Sequence, residues 1–82
     1  MTYPSEAQLI EMEQRARWLL DGTVAASAAA DRMEYAYEMN SRTVTRAKIN
    51  AAWADVERDE AIAGDVLTLV ALLRAGGRKA AA

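Results

Sequence analysis

Pro4 is the only proline in a chain of 82 residues, so past its first few positions nothing in the backbone forbids a helix. The residues that fill the rest lean the same way. Alanine is abundant, phenylalanine is absent, and Leu, Arg and Glu recur, all residues at or near the favourable end of the helix scale. The longest greasy stretch, residues 66–73, falls far short of the ~20 residues that cross a bilayer. The expected fold class is therefore all-α, a compact bundle of three to four short antiparallel helices.

Caps and breaks divide the chain into candidate helices. Ser5 followed by Gln8 three residues later reads as a capping box. Leu9, Met12, Ala16, Leu19 and Leu20 then build one apolar stripe, and Asp21-Gly22 reads as a terminator, giving a first helix over residues 6–20. Thr23 is a fair N-cap for a second helix running to about Met39, whose polar residues Ser27, Asp31, Glu34 and Glu38 fall on one strip. Such a narrow wet strip suggests a central helix. Asn40-Ser41 reads as a break, with Ser41 capping a third helix from about Arg42 to Glu60 or Ala63. That helix carries a bulky stripe (Ile49, Ala52, Trp53, Val56) and a flat one (Val44, Ala47, Ala51, Ala54). Gly64-Asp65 either separates a fourth helix over residues 66–74 or is a weak point, worth ~1 kcal/mol, in one continuous helix. The domain is expected to span residues 1–76, with a disordered tail over 77–82.

So short a chain buries only about 60% of its unfolded surface. The usual staples of small folds are disulfides and metals, and this sequence has no Cys and no His. Self-association or a protein partner is the expected source of the missing stability. The same absences remove the imidazole base, the thiolate nucleophile and the zinc finger. No Gly-rich phosphate loop is present, since Gly76-Gly77 opens no helix. Asp31, Glu34 and Glu38 share the wet strip of an amphipathic helix, where solvated carboxylates belong. Not an enzyme, with no cofactor, no metal and no small-molecule substrate, is the resulting expectation. The alternating acids Asp55, Glu57, Asp59 and Glu60 lack the Gly and Glu of a calcium loop, because Glu60 and Val66 stand at its sixth and twelfth positions.

The net charge of −2 argues against bulk attraction to nucleic acid or to an anionic membrane. Glu6, Glu11 and Glu13 interrupt the region where a secretory signal would be apolar. A cytoplasmic location, in a bacterium or an infected host cell, is expected. Eight arginines against two lysines, with the alanine excess, point to a GC-rich bacterial or phage genome.

Two local features bear on partners. Asn40-Ser41-Arg42-Thr43-Val44-Thr45-Arg46, with Ala36 four residues before Asn40, resembles the turn and early recognition helix of helix-turn-helix DNA-binding proteins. The resemblance implies DNA contact through Arg42, Thr45 and Arg46. On helical wheels, Ile10 and Trp18 fall outside the first helix's apolar stripe, and Leu67 and Leu72 belong to a helix apolar almost all round. Those four are the expected protein-partner interface. The leading expectation is a non-catalytic, self-associating interaction module, a small regulator or adaptor forming a homodimer. A DNA-binding regulator and a structural subunit of a larger viral assembly are the alternatives.

Overall fold

The computed structural model describes the backbone of residues 3–81 and the side chains of residues 3–77. Two long helices make up the described chain, α1 (Glu6–Glu38, 33 residues) and α2 (Arg46–Ala81, 36 residues). They lie antiparallel as a hairpin 62 Å long and 16 × 15 Å in cross-section. The radius of gyration is 18.3 Å, against about 12 Å for a compact domain of this length.

Both ends of α1 are set by local chemistry. Ser5 Oγ accepts from the Gln8 backbone N–H at 3.2 Å, and the Ser5 N–H donates to Gln8 Oε1 at 2.8 Å, which is the expected capping box. At the other end Asn40 takes the left-handed conformation, with φ 63°. Its N–H donates to the Tyr37 carbonyl at 3.0 Å and that of Ser41 to the Ala36 carbonyl at 2.9 Å. This is a Schellman closure, with Asn in the role glycine usually plays. The cap of α2 is Thr45, whose Oγ1 accepts from the Lys48 N–H at 3.2 Å. Ser41 Oγ instead accepts from the Thr43 N–H within the turn, so the second long helix begins four residues later than Ser41 capping implies.

The buried residues explain why two helices suffice. On α1 they are Leu9, Ala16, Thr23 and Ala30; on α2 they are Ile49, Val56, Ala63 and Val70. Each set recurs every seventh residue without a slip. Calling this heptad position a, the half-buried positions are mostly d and e on either side of it. On α1 these are Met12, Leu19 and Met33 at d and Glu13, Leu20, Ser27 and Glu34 at e. A strict seven-residue repeat is the pattern that keeps one seam of a helix against a partner along its whole length. Two cross-helix contacts fix the register: Trp53 meets Glu34 and Arg74 meets Glu13. Three heptads back along α1 are matched by three heptads forward along α2. Ala16 and Val70, Thr23 and Ala63, and Ala30 and Val56 therefore fall at nearly equal heights.

The expected bundle of three to four short helices is corrected by this arrangement. Asp21-Gly22 does not end a helix, and α1 passes straight through it. Thr23 does not cap; it is 5% exposed in the seam, and its hydroxyl donates back to the Leu20 carbonyl at 2.6 Å. Gly64 is likewise interior to α2, the continuous alternative. Neither glycine has a positive φ. A glycine in a helix interior costs about 1 kcal/mol, less than is lost by cutting a seam that continues on both sides of it. The flat stripe Ala47, Ala51 and Ala54 is exposed rather than packed on a further helix. The backbone of α2 is helical to Ala81, while most of the segment expected as a tail, 77–82, has side chains outside the described residues.

Candidate protein-interaction surface

A two-helix seam leaves two long open faces, one along the e positions and one along the d positions. The e face is closed at both ends by polar contacts between the helices. Near the turn, Trp53 Nε1 donates to Glu34 Oε1 at 3.0 Å, Arg46 approaches the same carboxylate at 3.8 Å, and the Arg46 guanidinium lies 4.9 Å over the Tyr37 ring. Near the termini, Arg74 joins α2 to α1 through Glu13 and, at 2.8 Å, through Glu6. Glu13 Oε1 is enclosed with Arg74 as its charge partner across the helices, while Arg17 lies 3.7 Å from the other oxygen of the same carboxylate. Between these clasps, Leu20 and Leu67 are half-buried.

The d face has no such closure among the described residues. Its seam side carries Met12, Leu19 and Met33 from α1 and Val66 and Leu73 from α2, all half-buried. Its margin, position g, adds Ile62 and Leu69, 47% and 48% exposed. A groove of about 260 Å³ runs along it, lined by Met12, Arg15, Ala16, Leu19, Ile62, Ala63 and Val66. The apolar surface is concentrated in the half of the hairpin nearer the termini. Toward the turn it gives way to Asp55 and Asp59, which flank Arg58 at 3.4 and 3.5 Å. Those acids are thus a solvated, arginine-paired helix face. No group of three or more residues able to hold a metal ion occurs among the described residues. No helix there is long and apolar enough to cross a membrane.

The four expected interface residues do not form one patch. Trp18 (76% exposed) and Leu72 (65%) both occupy position c, at the outer edge of the d face and within about a turn of each other in height. Ile10 is exposed at position b and Leu67 half-buried at e, both on the other side of the seam. The open face is made up of Met12, Leu19, Ile62, Val66, Leu69 and Leu73, of which the sequence places Met12 and Leu19 in the first helix's apolar stripe and Val66, Leu69 and Leu73 in the last helix, but none at the expected interface. The signal that finds them is the heptad, hidden because small or polar residues (Ala16, Thr23, Ala30, Ala63) fill half of its buried positions.

Arg42, Thr45 and Arg46 lie in and beside the connection. Arg42 is exposed, Thr45 is spent on the helix cap and Arg46 is folded back on Glu34 and Tyr37. A helix-turn-helix joins its helices at about 90–120° through a short turn, whereas α1 and α2 are antiparallel along their length. No protein-family model matches the chain, and no curated protein or solved structure matches it either.

Proposed function

We propose that this chain is a non-catalytic protein-interaction module that docks through its d face. The observation that carries the reading is the contrast between the two faces. The e face is tied across by Trp53, Glu34, Arg46 and Arg74, while the d face presents Ile62, Val66, Leu69 and Leu73 beside Met12 and Leu19 with no polar tie across it among the described residues. A continuous exposed apolar strip with charged residues at its border is the usual mark of a protein contact.

A photoreactive residue placed at position 62 tests this directly. Adducts to polypeptide are expected from position 62 and not from position 61, which points away from both faces. Equal labelling from the two positions would overturn the reading.

A further inference from the structure

We propose that the occupant of the d face is a second copy of this chain. The two hairpins run in the same direction about a twofold axis along their length, α1 of each lying over α2 of the other in a four-helix bundle. This rests on the reading of the d face as a protein-docking surface, and goes further by naming the partner and its orientation.

Area is the first argument. The hairpin exposes 6255 Å² at a mass of 8.9 kDa, whereas a folded monomer of that mass exposes about 4,800 Å². The excess is roughly 1,400 Å² per chain, or about 2,900 Å² for two copies, inside the range of obligate homodimers. A short peptide in the groove of about 260 Å³ cannot cover an excess of that size; a second rod of equal length can.

Orientation follows from what meets what. About a lengthwise axis, each α1 residue comes level with the same α2 residue in the partner as in its own hairpin, the register set by Glu13 and Arg74. Trp18 then comes level with the partner's Leu69, and the small residues Ala25 and Ala26 with the partner's Ile62. Arg32, exposed and without an ion pair among the described residues, comes level with the partner's Asp55. Apolar meets apolar, and cation meets anion. The reversed packing, at full overlap, lays α2 on α2 and sets Asp55 and Asp59 against the partner's apolar terminal half, where a carboxylate loses its water. Isologous contact of this kind is also self-limiting: it closes at two copies.

The chain has no cysteine, so an Arg42→Cys variant carries a single spin label at the turn. Sedimentation of the unmodified chain is expected to give twice 8.9 kDa, with a melting temperature that rises with concentration. Pulsed dipolar spectroscopy should place the two labels closer than half the 62 Å length. Ile62→Glu and Leu69→Glu should each weaken association by about a hundredfold or more, while Ala61→Glu and Thr68→Glu, on the far side, leave it unchanged. A fully helical monomer at high micromolar concentration overturns the proposal, and so do labels at opposite ends of the particle or equal effects from both pairs of substitutions. If the purified chain is monomeric yet position 62 crosslinks to a different polypeptide in cells, the second copy is excluded and the docking face stands.

Discussion

Trp53 reaches across from α2 to donate its indole N–H to Glu34 of α1 at 3.0 Å, a side-chain hydrogen bond that ties the two helices together near the turn. Its partner carboxylate is part-exposed and also faces Arg46. Trp53→Phe keeps most of the apolar bulk and deletes only the donor, so a loss of about 0.5–1.5 kcal/mol in urea unfolding is expected. A double-mutant cycle with Glu34→Ala should return a coupling energy of the same sign. Additive losses would show that the pair contributes nothing jointly.

Arg74 does the equivalent job near the termini, with more at stake because Glu13 Oε1 is enclosed. Arg74→Met retains the aliphatic stem and removes the cation beside that oxygen, leaving the carboxylate only Arg17, 3.7 Å from its other oxygen. A loss of about 1–3 kcal/mol is expected, larger than for any exposed ion pair such as Arg15 with Glu11. Hydrogen exchange should speed up first in the opening turns of α1. Unchanged exchange there would argue that the clasp is ornamental.

Ala30 and Ala63 are fully buried, and alanine at those positions lets the two helices approach closely. Ala30→Leu or Ala63→Leu forces bulk into the seam and should destabilise by about 1–3 kcal/mol. The same change at the exposed Ala28 should be nearly neutral. Thermal denaturation separates the two outcomes, and a neutral Ala30→Leu would place the seam elsewhere.

Gly64 sits inside α2 with open space where a side chain would go and no positive φ. Gly64→Ala should therefore raise stability by about 0.5–1 kcal/mol. Were Gly64 a left-handed terminator between two helices, the same change would lower stability. One melting curve decides between them.

How far the sequence could be read depended on which residues stood at the seam. The Ser5–Gln8 capping box and the Asn40 break are local events, decided by a few neighbouring atoms, and both were legible. The stripes Leu9–Met12–Ala16–Leu19 and Ile49–Ala52–Trp53–Val56 were also legible, since bulky residues mark them. Continuity across Gly22 and Gly64 was not, because it depends on a partner helix many residues away whose contact outweighs a weak local preference. Thr23 misleads for the same reason: beside glycine it looks like a cap, yet it is buried and its hydroxyl is satisfied within its own helix. The open face needs the register of both helices, which no single segment carries, so Ile62 and Leu69 at its margin are not legible from either helix alone.

The unbroken seven-residue spacing of Leu9, Ala16, Thr23 and Ala30 against Ile49, Val56, Ala63 and Val70 makes length itself a quantised property of this molecule. Removing one heptad from both arms at the same height should yield a working hairpin about 10 Å shorter. Removing it from one arm alone slides every layer past its neighbour and leaves Arg74 or Trp53 facing the wrong residue. Related chains of different size would then be expected to differ by fourteen residues, split evenly about the turn.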